Sequence, residues 1–163
     1  MKSMIGKAAV AAILALGAGA ASAGVTVNYV NPDNFSDLPF TPWERQAVLD
    51  DLAAYFAELG KNLPAGQELT VDVTDIDLAG REYPANRGAR DLRVLKGGAD
   101  WPIIELRYTL SANGQVVNSG TAQLKDMTYM SRINRPSSND RLRYEKRMVE
   151  EWFNQAILRK KTS

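Results

Sequence analysis

Three aspartates in the middle of the sequence have a spacing that could support chemistry: Asp72, Asp75 and Asp77. On a regular strand, Asp75 and Asp77 would share a face, and their carboxylates would lie within reach of each other. Such a pair could act as acid and base in glycoside hydrolysis at a separation of about 5–9.5 Å, or it could bind a cation. The preferred interpretation is that these acids line a solvent face and pair with Arg81 or Arg107.

Metal ligands and cofactor motifs are not predicted. The aspartate spacing lacks the D-x-D-x-D-G loop and the distal glutamate of a calcium site. The chain contains no histidine and no cysteine, which removes thiol nucleophiles, Ser-His-Asp triads and the usual zinc sites. The glycine spacings of phosphate-binding and dinucleotide-binding loops are also missing. We therefore predict no catalytic residue, no metal and no cofactor, and catalysis becomes the less favoured class of function.

Arginines and aromatic residues are interleaved in two further stretches. Guanidinium groups bind phosphates and carboxylates in bidentate fashion, and aromatic rings add stacking surface, so the combination indicates anion or sugar-acid recognition. The candidate binding residues are Arg81, Arg87, Arg90, Arg93, Trp101, Tyr129, Arg132 and Arg135. The preferred interpretation is nevertheless that the arginines form ion pairs, each contributing about 0–1 kcal/mol at the surface. The acids available for such pairs are Asp91, Asp100, Asp140, Glu145, Glu150 and Glu151.

The first residues have the pattern of an export signal. Lys2 and Lys7 form a basic start, residues 8–16 form a short apolar core, and the Ala-Ser-Ala of residues 21–23 is typical of a signal peptidase site before Gly24. An uncleaved membrane anchor is the alternative, but the apolar run is shorter than the ~20 residues that span a bilayer. We therefore expect residues 1–23 to be a cleaved signal peptide and the mature protein to be periplasmic or secreted, with no transmembrane anchor.

Residues 24–163 have the size of one domain. The whole chain has 20 basic and 19 acidic residues, and the loss of Lys2 and Lys7 would leave a net charge of −1. This balance gives no general attraction to nucleic acid, which is not expected as a partner. With no cysteine, the fold must be stabilised by its core.

Patterns of apolar residues outline the strands. The predicted strands span residues 25–30, 68–78, 103–110 and 115–125. In the second strand the apolar parity changes between Val73 and Ile76, which predicts a bulge near Thr74 and Asp75. Residues 113–114 (Asn-Gly) predict a tight hairpin between the last two strands.

Two helices are predicted as well. Residues 41–44 (Thr-Pro-Trp-Glu) resemble a capping box, and the helix that they begin should end at Gly60. A second helix should follow the N-cap candidates at 137–140. The expected fold is α+β, a mostly antiparallel sheet of about four strands with two amphipathic helices packed on one face. The residues expected to share its interior include Trp43, Phe56, Trp152 and Phe153.

The segment from Arg81 to Trp101 is expected to be an ordered cover. A structureless connection longer than about 12–15 residues is uncommon in a compact domain. The residue before a proline is held extended, so Trp101 should lead directly into the strand that begins after Pro102.

Several blocks of the sequence match one family in order. They are the DIDLAG of 75–80, the Trp-Pro of 101–102, the Leu-Arg-Tyr of 106–108, the LRYEKRM of 142–148 and the Trp-Phe of 152–153. In these blocks the chain resembles domain of unknown function 3016 (DUF3016), a family of small exported proteins of Gram-negative bacteria. The resemblance implies a periplasmic or secreted location and implies no activity.

Three functional hypotheses follow from the sequence. The leading one is a non-enzymatic binding or accessory module of the bacterial envelope, which uses an arginine- and aromatic-rich surface to bind an envelope polyanion or another periplasmic protein. A carboxylate-dependent hydrolase that acts on cell-wall or glycan substrates through Asp75 and Asp77 is the first alternative. A structural or assembly protein, for example a homodimer formed through an exposed sheet edge, is the second. The sequence does not indicate whether the protein is a monomer or an oligomer.

Overall fold

The computed structural model describes residues 23–84, 92–131 and 139–159. The strands and helices follow in the order β1 (Gly24–Tyr29), α1 (Pro42–Gly60), β2 (Gln67–Asp77), β3 (Arg81–Tyr83), β4 (Leu92–Val94), β5 (Ile103–Ala112), β6 (Gln115–Lys125) and α2 (Arg143–Trp152). A short 3-10 turn, Pro32–Asn34, lies between β1 and α1, and a π-helical turn, Phe153–Ile157, extends α2. Four predicted site residues lie outside the described residues: Arg87, Arg90, Arg132 and Arg135.

The main sheet has the strand order β1-β2-β5-β6, and β3 and β4 form a separate two-stranded sheet. The α+β class, the four-stranded sheet and the two helices are as predicted. The sheet is mixed, because β1 pairs parallel to β2 whereas β2–β5 and β5–β6 are antiparallel. The parallel pair results from the α1 crossover, which brings the chain back beside β1 in the same direction. An alternating pattern within one strand does not reveal that direction.

A bulge interrupts β2 at the predicted place. Val73 is paired with Leu106 and Asp75 with Glu105, so Thr74 is the extra residue. The bulge lets apolar residues of both parities face the same interior. The buried residues on the two sides of it are Leu69, Val71, Val73 and Ile76. The predicted hairpin after β5 is also present, with positive φ at both Asn113 and Gly114.

One core joins the apolar side of the sheet to both helices. Trp152 packs edge-on against Phe56 of α1 and Tyr108 of β5, with ring centroids 6.3 and 5.4 Å away. Phe56 and Phe153 are almost completely buried. These three of the four expected interior aromatic residues therefore share one core.

The prediction for Trp43 is wrong, because its side chain is 71% exposed. Residues four and seven positions further along a helix lie on the same side. For Trp43 these residues are Ala47 and Asp50, and both are exposed. The buried stripe of α1 instead runs through Val48, Leu52 and Phe56, so the tryptophan lies on the solvent side.

The first turns of α2 are buried even at charged positions. Glu145, Lys146 and Arg147 follow one another and are all buried. Because successive helical residues point in different directions, each contacts a different part of the fold. Lys146 binds Asp51 of α1 at 2.8 Å and Asp140 at 2.7 Å.

Candidate functional site

A cavity of about 420 Å³ lies between the β1–α1 connection, the first turn of α1, the end of β2 and strand β3. This volume is within the range of small-molecule sites, about 300–1,000 Å³. Its lining combines acids, arginines and apolar residues: Pro32, Asp33, Phe35, Ser36, Asp37, Leu38, Phe40, Arg45, Asp77, Arg81 and Glu82.

Backbone hydrogen bonds bring two aspartates together at this cavity. The N–H of Asp37 donates to the Ile76 carbonyl at 3.0 Å, and the N–H of Leu78 donates to the Asp37 carbonyl at 3.4 Å. The resulting parallel bridge places Asp37 directly beside Asp77. Both residues are half-buried and line the cavity. The β1–α1 connection thus supplies a carboxylate that is not among the predicted site residues.

Asp75 makes different contacts from Asp77. Its two carboxylate oxygens accept hydrogen bonds from the backbone N–H of Ser36 at 2.7 Å and from the Ser36 hydroxyl at 2.6 Å. Asp75 therefore holds the β1–α1 connection against β2, whereas Asp77 lines the cavity. That Asp75 and Asp77 act together as acid and base stays a prediction.

The protonation of the cavity carboxylates reflects their surroundings. Burial raises the pKa of Asp37, the charge of Asp77 raises it further, and Arg93 and Arg81 act in the opposite direction. Burial also raises the pKa of Asp77, and the charge of Asp75 adds to the effect. The surrounding arginines therefore do not fully offset the cost of placing these negative charges together.

Two arginines and two phenylalanines complete the cavity wall. Arg45 is paired with Asp33 at 2.6 Å, and Arg81 is exposed at the start of β3. Phe35 is half-buried and packs edge-on against Tyr29, whereas Phe40 is 58% exposed. The cavity therefore offers charges of both signs beside aromatic surface.

Arg93, a predicted binding residue, lies inside the fold. Its guanidinium donates to the carbonyl of Arg141 at 2.6 Å and to the carboxylate of Glu145. Glu145 is 0% exposed and also accepts a hydrogen bond from the N–H of Ala79 at 2.8 Å. Arg93 thus forms an ion pair, as the ion-pair interpretation of the arginines predicts, and this buried pair fastens β4 to α2.

Tyr129 and Trp101, also predicted binding residues, belong to a small second core. Tyr129 is 1% exposed, and its hydroxyl donates to Asp100 at 3.0 Å and accepts from the N–H of Gly97 at 3.1 Å. Its ring packs edge-on against Tyr144, 4.8 Å away. Trp101 is half-buried against the same cluster.

Of the described site candidates, the cavity brings together only Arg81 and Asp77. The described residues of the 81–101 segment include the antiparallel β3–β4 hairpin, which borders the cavity through Arg81 and Glu82. Asp72 lies elsewhere on β2, 4.0 Å from Arg107 and hydrogen-bonded to Asn28 at 2.8 Å, as the solvent-face interpretation predicts.

The cavity residues of the β1–α1 connection, such as Asp37 and Phe40, are not among the residues that the sequence predicts for a site. That connection has no helical or alternating pattern, and the only local signal was a cluster of aspartates and prolines at residues 32–39.

Within residues 23–84, 92–131 and 139–159, no group of three or more acidic side chains is arranged to hold a metal ion. Over the same residues no helix has the length and apolar character needed to cross a bilayer.

The fold and cavity define a small α+β protein with a mixed-charge cavity at one end of its sheet. The model of the family described as "Protein of unknown function (DUF3016)" matches residues 23–155, and the chain belongs to this family. The resemblance found in the sequence is thereby confirmed. No curated protein and no solved structure matches the chain.

Proposed function

We propose that the protein is an exported, periplasmic binding module whose site is the cavity beside the β3–β4 hairpin. The observation that carries the proposal is the composition of this cavity: Asp37 and Phe40 of the β1–α1 connection and Asp77 and Arg81 of the β2–β3 segment line one open volume. A largely pre-formed pocket with a few convergent polar groups is the usual form of a small-molecule site.

Binding is favoured over catalysis by the chemistry of the side chains. The chain has no histidine and no cysteine, and Asp75 is engaged by Ser36. The charged residues of the cavity are suited to recognition, because they offer opposite charges next to an aromatic ring. No covalent step is needed to account for the arrangement.

The partner is an envelope molecule with an anionic group, or another periplasmic protein. Arg81 supports this part of the proposal, since it is exposed at the rim of the cavity. Arg93 does not contribute, because it is bound to Glu145 and to the Arg141 carbonyl. Arg87, Arg90, Arg132 and Arg135 stay candidate binding residues, and they lie outside the described residues.

Export is tested by the mass of the mature protein. Expression with its own N-terminus in a Gram-negative host should give a periplasmic product that begins at Gly24. A cytoplasmic product that retains Met1 would contradict the proposed location.

Binding is tested by pull-down from a periplasmic extract with charge-reversed variants. Arg81→Glu should reduce the recovery of bound material, because it reverses the charge at the cavity rim. Arg107→Glu is the matched control, since Arg107 is also exposed on a strand but lies outside the cavity lining. Equal recovery by wild type and both variants would remove this cavity as the site.

A second candidate function is a carboxylate-dependent hydrolase. The observation that favours it is the bridge between Asp37 and Asp77, because two adjacent carboxylates with raised pKa values can hold one proton between them. In this version Asp37 replaces Asp75 as the partner of Asp77. Release of soluble fragments from purified cell-wall material, abolished in Asp77→Asn, would support it, and no release by the wild type would exclude it for that substrate.

A further inference from the structure

We propose that the cavity binds a small zwitterion, with its ammonium group between the carboxylates of Asp37 and Asp77 and its anionic group at Arg81. This inference rests on the proposed binding function and names the chemical class of the ligand. A cavity, an opposed charge pattern and an aromatic wall together support it.

The ammonium position follows from the backbone. The parallel bridge sets Asp37 beside Asp77, so both carboxylates border one space at the end of β2. Two half-buried negative charges at adjacent positions repel each other, and a cation placed between them would relieve that repulsion. An ammonium group has three N–H donors and can bind both carboxylates at once.

The other charged groups in the wall do not already fill this role. Arg45 is bound to Asp33 at 2.6 Å, and Glu82 faces Arg141, 3.6 Å away. Asp33 and Glu82 are therefore each close to a positively charged side chain of the protein. Asp37 and Asp77 instead remain with raised pKa values although Arg81 and Arg93 act on Asp37.

The anionic end is assigned to Arg81, whose guanidinium can bind a carboxylate or phosphate in bidentate fashion. Phe40, which is 58% exposed and lines the same cavity, offers a ring to the apolar part of a ligand or to its cation. The groups that would hold the two ends of a zwitterion thus line one cavity.

The test is calorimetric titration of the whole mature protein with three probes of matched shape: L-norleucine, hexanoate and pentylamine. Norleucine carries both charged groups, hexanoate lacks the ammonium group, and pentylamine lacks the carboxylate. We expect norleucine to bind at least tenfold more tightly than hexanoate and more tightly than pentylamine. Asp77→Asn should reduce the norleucine affinity at least tenfold and remove its advantage over hexanoate.

Controls separate this inference from the proposed function. Asp72→Asn makes the same charge change outside the cavity and should leave all three affinities unchanged, and circular dichroism should show that both variants fold. If hexanoate binds as tightly as norleucine and Arg81→Glu abolishes it, the cavity is a binding site but the ammonium assignment is wrong. If none of the probes binds to the wild type, the zwitterion class is excluded, while the periplasmic pull-down still decides whether the cavity binds another ligand.

Discussion

Asp75 and Asp77 lie two residues apart near the end of β2 and make different contacts. Asp75 accepts two hydrogen bonds from Ser36, so its charge is used to fasten a loop. Asp77 lies at the cavity, where burial and the charge of Asp75 raise its pKa. A carboxyl group that has a raised pKa and lines a cavity is typical of a functional position.

Alanine substitutions should separate these two roles. Asp75→Ala should lower the free energy of unfolding by about 1–2 kcal/mol, because it removes both hydrogen bonds to Ser36. A raised folded pKa means that the stability contributed by Asp77 is lost as pH rises through that pKa, so at pH 7 its charge is unfavourable. Asp77→Ala should therefore be neutral or stabilising by a few tenths of a kcal/mol, a small effect because the group is partly exposed and screened.

Urea denaturation of both variants at pH 7 measures this difference. Equal destabilisation by the two substitutions would mean that Asp77 supports the fold in the same way as Asp75. The assignment of Asp77 to the site would then lose its energetic support.

Asp126 and Arg147 form a buried ion pair. Burial acts to raise the pKa of Asp126, but hydrogen bonds from Arg147 and Thr128 outweigh it and hold the pKa below its ordinary value. A lowered folded pKa contributes stability above the unfolded pKa of about 4, and this stability is lost as pH falls through the lower folded value.

Asp126→Asn should lower the free energy of unfolding at pH 7 by about 3 kcal/mol, because it removes the carboxylate of a buried ion pair with Arg147. The difference from wild type should shrink as the pH falls below about 4. Glu58→Gln is the control, since its pair with Lys61 is exposed and should contribute less than about 1 kcal/mol. Denaturation curves between pH 2 and pH 7 would contradict this if the difference stayed constant.

The sequence shows which residues are charged, but it does not show which of these charges are buried. Arg93 and Arg81 occur in the same stretch and have the same side chain, yet one binds Glu145 inside the fold and the other borders the cavity. The difference arises from strand parity in a three-residue strand, since Glu82 and Arg93 face each other and Arg81 faces Val94. A strand of three residues gives no alternation from which to read it.

The β3–β4 hairpin forms one wall of the cavity, and its position depends on two contacts. Glu145 fixes β4 through Arg93. Gly80 turns the chain from β2 into β3 with φ of 86°, and its N–H donates to the Asp100 carbonyl at 2.9 Å. A Cβ at Gly80 would lie 2.4 Å from the carbonyl oxygen of Val94, so this turn leaves no space for a side chain.

Gly80→Ala should therefore be more destabilising than Gly114→Ala. Both glycines have positive φ, but a Cβ at Gly114 would meet nothing within 4 Å. The strain of positive φ alone costs about 1–2 kcal/mol, and the clash at Gly80 should add to it. Chemical denaturation measures the two costs, and equal values would show that the hairpin shifts freely away from β2.

Most elements could be predicted because they are long and regular. The strands around residues 68–78 and 103–125, the bulge at Thr74 and the end of α1 at Gly60 all follow from apolar periodicity and turn residues. The parallel pairing of β1 and the short strands β3 and β4 could not be predicted in this way, because tertiary contacts determine strand direction and short strand pairings. The cavity depends on these unpredicted features, so the candidate site was only partly visible in the sequence.

Helix α1 has one side in the core of the protein and one side in solvent, and each side carries an aromatic residue. Phe56 is buried in the core, whereas Trp43 is 71% exposed. Phe56→Ala should lower the free energy of unfolding by about 3–5 kcal/mol. Trp43→Ala should change it by less than about 0.5 kcal/mol. A large loss in Trp43→Ala, measured by chemical denaturation, would show that the tryptophan is covered in solution.

The exposed edge of the main sheet is the feature on which the alternative role in assembly depends. Strand β6 is an edge of the main sheet, and its Val116 and Val117 are exposed. Such an edge can pair with a second copy of the chain. Sedimentation at several protein concentrations distinguishes the two roles: a monomer agrees with a binding module, and a dimer that Val117→Lys dissociates would favour assembly.

Hydrogen exchange of the mature protein, with and without a complete periplasmic extract, tests most directly whether the cavity is the binding site. The predicted result is slower exchange in residues 33–45 and 77–83, which form the cavity walls, with no change in β6. Unchanged exchange at the cavity, or protection confined to β6, would contradict the central claim.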